Sequence, residues 1–232
     1  MRVAAVWVLL SGCHLIFDLD QRAAQCKVSG IQLCLTFEDD LGDLETTDDS
    51  GEGNDARLLN VSPAKHNGQG AVSLEATSKI EIENMGALDV PGPLTFDAFF
   101  RWLEGSDPQA ILDNFNQWGL GVQSGVEVSC TLGFADFTFS ILVGGNFVPG
   151  RWHHVACVFD PDIGTQLYLD GVPIKTDPAG IGKMVRMNGG APFVMVGSFN
   201  SGTGHFLGEL DDLRVITRAL SSDEILAAAD AE

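Results

Sequence analysis

Apolar residues recur at every second position in several short runs of this chain, and rarely at helical spacing. Leu94, Phe96, Ala98, Phe100 and Trp102 alternate with Thr95, Asp97 and Arg101. That period of two predicts a strand with one face on a core. Phe137, Phe139, Ile141 and Val143 repeat the alternation against Thr138 and Ser140, which predicts a second core-facing strand. Residues 152–159 are apolar on both faces apart from His153 and His154, as in a central strand covered from both sides. Shorter strand candidates run over 31–37, 72–74, 80–82, 193–197 and 206–216. Between residues 166–169 and 172–175 stands Asp170-Gly171, a pair that readily takes the positive φ values of a two-residue hairpin turn. Ser221 and Glu224 have the spacing of a capping box, which predicts one short helix through Ala228.

Many short strands, a hairpin marker and a single late helix point to an all-β antiparallel sandwich. The 232 residues contain 45% hydrophobic residues and 27 glycines, enough for one domain with a full core. The formal net charge is −19. Such a chain repels phosphate backbones, so nucleic acid is not an expected partner.

The N-terminus changes the expected location. Met1-Arg2 precedes a short apolar stretch, Val3 to Leu10, well below the roughly 20 residues a bilayer span needs. It therefore reads as a leader to be removed. Leu10-Ser11-Gly12-Cys13 resembles the lipobox of bacterial lipoproteins. That resemblance implies a signal peptide over 1–12, lipidation of Cys13 as the mature N-terminus, a tether over 13–28 and a folded domain over 29–232. His14 is not the aspartate that often retains such proteins at the inner membrane, so anchoring in the outer membrane of the cell envelope is the expectation. With Cys13 removed, Cys26, Cys34, Cys130 and Cys157 remain, an even number in an oxidising setting. Three pairings are open; proximity along the chain favours Cys26 with Cys34 and Cys130 with Cys157 without deciding between them.

Four ordered segments resemble the LamG-like jelly-roll domains of the concanavalin A-like lectin and glucanase superfamily. The first is Phe37-Glu38-Asp39 followed by the turn Asp49-Ser50-Gly51-Glu52-Gly53-Asn54-Asp55-Ala56. The second is the strand from Leu94 to Trp102. The third is Gly150-Arg151-Trp152-His153-His154-Val155-Ala156, then Gln166 to Gly171. The fourth runs from Gly208 to Val215, then Arg218 to Ser221 and Glu224-Ile225. The resemblance implies two packed antiparallel sheets in a jelly roll, and a Cys130–Cys157 bond, since some members carry cysteines at both places.

It also implies candidate chemistry. Several concanavalin A-like domains hold calcium between the first loop and the last strand. Oxygen donors stand at both places here: Glu38, Asp40, Asp49, Asn54 and Asp55 early, Asp211 and Asp212 late. Glu38, Asn54 and Asp212 are the expected ligands of a structural Ca2+. Superfamily glycosidases carry an ExDxxE-like set of carboxylates, and Glu209-x-Asp211 begins one, but Arg214 occupies the final acid position. No GxSxG elbow marks a nucleophile, and His153 and His154, as strand neighbours, point to opposite faces. His66 and His205 stand alone in the sequence. Among the loops, Asn188-Gly189-Gly190 and the segment 198–204 are ligand candidates. In the second, Phe199 and Asn200 place an aromatic face beside hydrogen-bonding groups. The expectation is a non-catalytic recognition or adhesion module binding a glycan. An extracellular protein partner or a structural envelope role is the alternative, and glycoside hydrolysis a third reading.

Overall fold

The computed structural model describes residues 24–39, 41, 44–84, 86–105, 108–123, 125–187 and 191–231. The expected leader and Cys13, the donor Asp40 and the loop Asn188-Gly189-Gly190 lie outside the described residues.

Two antiparallel sheets form a sandwich. In the first sheet the order is β14 (Val172–Asp177), β13 (Gly164–Leu169), β12 (His153–Asp160), β7 (Leu94–Glu104), β16 (Leu207–Ile216), β5 (Gln69–Leu74) and β4 (Ser62–His66), with β1 (Ile31–Leu35) also pairing β16. In the second it is β11 (Phe139–Asn146), β10 (Glu127–Gly133), β9 (Trp118–Gln123), β8 (Gln109–Asn114), β15 (Phe193–Val196), β6 (Lys79–Glu83), β3 (Ala56–Leu59) and β2 (Glu45–Thr46).

The alternation in β7 does what period two requires. Leu94, Phe96, Ala98 and Phe100 are fully buried in the core between the sheets, where the Phe96 and Trp118 rings lie 5.0 Å apart. Cys130 of β10 bonds to Cys157 of β12, so one disulfide ties the two sheets together through the core. The second bond joins Cys26 to Cys34.

β12 is apolar on both faces because both are covered. Val155, Cys157 and Phe159 enter the sandwich core, while Ala156 and Val158 belong to a second cluster with Tyr168, Ile216 and Ile225. The helix α1 (Ser222–Ala229) supplies Ile225 to that outer cluster and starts at the expected capping box on Ser221 and Glu224. At the hairpin, Asp170 and Gly171 take φ of 49° and 74°, as the turn chemistry demands.

Within the expected tether, Cys26 is buried in the outer cluster, Val28 packs against it, and Gln25 accepts a hydrogen bond from Arg214 at 2.7 Å. One expectation is corrected. The apolar alternation at Phe137 to Val143 does not face the core. Ser140 and Leu142 point inward, while Phe139 and Ile141 are exposed. Phe137 sits at φ 65° in a turn closed by the Phe134 N–H to Thr138 O bond of 2.8 Å. That turn sets the parity of β11 and brings Leu142 opposite Cys130.

Candidate functional site

On the outer face of the second sheet the side chains that should fill the centre are missing. β9 sends Trp118, Leu120 and Val122 into the core and leaves Gly119 and Gly121 facing out. Across β10, Thr131 stands opposite Gly119 and Ser129 opposite Gly121. Glycine within a strand marks a bulge or a close approach of other groups, and both apply: β8 shifts register between Ala110 and Leu112, and a Cβ on Gly121 would fall 2.5 Å from the Gln109 carbonyl oxygen. The result is a groove of about 320 Å³. Phe115, Phe139 and Phe199 stand around it, and Asp113, Asn116 and Gln123 supply polar groups.

One wall is the loop from Ser198 to Gly204, held by its own hydrogen bonds and by β8. The Gly202 N–H donates to Phe199 O at 2.8 Å, and the Phe199 N–H to Thr203 O at 2.9 Å. The Ala110 N–H donates to Gly204 O at 2.9 Å. Asn200 then turns inward: its backbone N–H donates to Asp113 Oδ2 at 2.7 Å, and its side-chain amide donates to Asp113 O at 2.9 Å and Oδ2 at 3.1 Å. Burial pushes the Asp113 carboxyl above its ordinary value, with the Asn200 hydrogen bonds working against that rise. Phe199 thus lines the groove, whereas Asn200 serves as the clamp on Asp113.

Beyond Phe115 and Asn116 the surface continues into a second hollow of about 530 Å³, with Phe137, Met184 and Met187 at its sides. Arg186 lies over the Phe137 ring at 4.3 Å and the Phe139 ring at 5.7 Å. Asp113, Phe115 and Asn116 had no place in the expected site. The available signal was the half-empty strand, Trp118-Gly119-Leu120-Gly121-Val122, next to an aromatic between two asparagines.

The other sequence candidates have different partners. Asp48 organises the early turn, accepting from the N–H groups of Cys34, Ser50 and Asn54 at 2.9, 3.0 and 3.0 Å. Asn54 donates its amide to Gln32 O at 2.7 Å, Glu38 accepts from the Gly70 N–H at 2.8 Å, and the Asp212 carboxylate lends its charge to Arg214. Each of the three expected calcium ligands thus has a structural task. Among the described residues, no three His, Cys, Asp or Glu side chains form a group able to hold a metal ion.

Glu209 and Asp211, which begin the glycosidase-like pattern, lie on the first sheet rather than at the groove. Arg101 pairs with Glu209, and His66 Nδ1 lies 3.0 Å from Asp211 Oδ2. His66 therefore does not stand alone; it also stacks on Trp152 at 4.1 Å. His153 and His154 do split between faces: His153 Nδ1 lies 2.8 Å from Asp170 Oδ2, while His154 is buried with its ring nitrogen 3.7 Å from Asp97.

A family profile described as the concanavalin A-like lectin/glucanases superfamily matches residues 74–226. No curated protein sequence matches the chain. Among solved structures, the binding domain of Paraclostridial Mosquitocidal Protein 1 is similar with a TM-score of 0.70 at 12% identity, over 87% of this chain and 52% of that one. The receptor binding domain of botulinum neurotoxin C/D mosaic serotype gives 0.70 at 12% identity, over 88% and 51%. The botulinum neurotoxin serotype D ligand binding domain in complex with N-acetylneuraminic acid gives 0.70 at 11%, over 93% and 53%. The chain spans about half the length of these domains, and at such identities the likeness is one of fold.

Proposed function

The chain belongs to the concanavalin A-like lectin and glucanase superfamily, and from that footing we propose that it is a non-catalytic recognition module that binds carbohydrate in the groove on its second sheet. The observation that carries this reading is the groove itself. Three phenylalanine rings surround a floor emptied by Gly119 and Gly121, with Asp113, Asn116 and Gln123 in reach. Apolar faces with a few fixed hydrogen-bonding groups suit a sugar ring, which presents CH patches and hydroxyls together. Binding domains with this fold, one of them solved with an acidic sugar, are consistent with it.

Catalysis finds less support. Asp113 is the single carboxylate among the described residues that line the groove, and glycoside hydrolysis normally needs two. Display at the cell envelope through Cys13 belongs to the same proposal, supported by the lipobox-like run Leu10 to Cys13. Cys13→Ala should abolish metabolic labelling with palmitate.

The test is binding of the purified protein to a broad glycan array, beside a Phe199→Ala variant. Retention of a glycan class by the parent and its loss in a folded Phe199→Ala protein would support the reading. A blank array would turn the case to a protein partner. That second reading rests on the exposed apolar shelf beyond Phe115, where Phe137 is 75% and Met184 58% exposed.

A further inference from the structure

We infer that the glycan taken by this groove is uncharged, and that sialylated, uronic or sulfated chains are rejected. This rests on the carbohydrate reading above and narrows it. Among the described residues lining the groove there is no Lys or Arg, and the one charged side chain is Asp113. Its carboxylate is fixed in place by Asn200, through the backbone N–H at 2.7 Å and the side-chain amide at 3.1 Å. A sugar hydroxyl can donate to such a carboxylate. A carboxylate or sulfate on the ligand would instead meet a like charge in a recess where water screens poorly.

The remaining lining groups are neutral. Asn116, Gln123, Ser129 and Thr131 offer amides and hydroxyls, which pair with hydroxyls of either orientation and neutralise nothing. Arg186, a cation near the groove, is laid over Phe137 and Phe139 and lines the outer hollow instead of the groove. The rest of the molecule reinforces the effect: 32 acidic against 13 basic side chains produce a field that slows the approach of any anionic chain. An acidic sugar bound to a domain of the same fold at 11% identity does not bear on this, because a shared fold leaves the lining residues free to differ.

The experiment compares the purified full chain with matched pairs of oligosaccharides, each uncharged chain beside its sialylated, uronic and sulfated counterpart, by calorimetry at constant ionic strength. The expected result is binding of uncharged chains roughly tenfold or more tighter than their charged counterparts. Thr131→Lys, which adds a cation to the floor without touching the Asp113–Asn200 clamp, should narrow or reverse that ratio while the melting temperature holds. Equal or tighter binding of the charged members by the parent would overturn the inference and leave the carbohydrate reading standing. Failure of every chain, charged and uncharged, would overturn both.

Discussion

Arg214 and Asp97 form a two-pronged ion pair inside the protein, with Nε to Oδ1 at 2.9 Å and Nη2 to Oδ2 at 2.5 Å. Their side chains are 4% and 0% exposed. The register explains how they meet: Arg214 of β16 stands opposite Asp97 of β7, just past an irregularity at which Asp212 takes φ 42°. Gln25 adds a third hydrogen bond to the guanidinium from the segment that leads into β1. The pair therefore joins the two central strands to the chain's entry into the fold. Arg214→Met strands a buried carboxylate and should cost about 3–5 kcal/mol, whereas replacing both partners by apolar residues should cost far less. Urea denaturation of the single and double variants measures both.

The same pair sets an acid limb. Burial alone would raise the Asp97 carboxyl, but the charge of Arg214, the hydrogen bonds from its guanidinium and the nearby His154 ring outweigh it and hold Asp97 below its ordinary 3.8. A carboxyl with a lower pKa folded than unfolded contributes its full stability above the unfolded value and loses it as pH falls through the folded one. The melting temperature should thus be level in this respect from neutrality to about pH 4 and drop below that. Asp170 and Asp177, also held low, add in the same direction. In Asp97→Asn, itself less stable, that part of the acid drop should disappear; an unchanged acid slope would count against it.

Strand β7 could be read from the chain because its alternation and its burial agree. β11 could not, since Phe139 and Ile141 look like core residues in any window of sequence. What puts them outside is the turn at Phe137 and the pairing of Leu142 with Cys130. The groove was half legible. Phe199 stood out as an aromatic among polar loop residues, but Asp113 meets Asn200 across 87 residues of chain, and His66 meets Asp211 across 145. Such pairs follow from strand order, which local periodicity does not carry. A floor made by the absence of side chains at Gly119 and Gly121 leaves a weaker mark still.

The two disulfides should differ in weight. Cys130 and Cys157 are 27 residues apart and Cys26 and Cys34 only 8. On loop-closure entropy alone these contribute about 3.5 and about 2.5 kcal/mol. The cross-sheet bond also sits in the main core, so combining Cys130→Ser with Cys157→Ser buries two hydroxyls where sulfur packed. Thermal unfolding should place that double variant well below the one combining Cys26→Ser with Cys34→Ser. The reverse order would mean that the N-terminal segment, rather than the junction of the sheets, limits stability.

Two glycines in one loop separate backbone strain from loss of the groove wall. Gly202 and Gly204 both hold positive φ, 76° and 62°. An alanine at either should cost about 1–2 kcal/mol for the left-handed conformation. Around Gly202 nothing lies within 4 Å of an added Cβ, whereas at Gly204 it would fall 2.2 Å from the Phe199 ring and 2.9 Å from the Pro108 carbonyl oxygen. Gly202→Ala should therefore lose stability and keep its ligand. Gly204→Ala should lose at least as much and also push Phe199 off its seat, so that ring resonances shift and glycan affinity falls roughly tenfold, the equivalent of about 1.4 kcal/mol. Equal affinity in the two variants would show that Phe199 does not form the wall against which the ligand packs. The groove would then have to act through Phe115 and Phe139 alone.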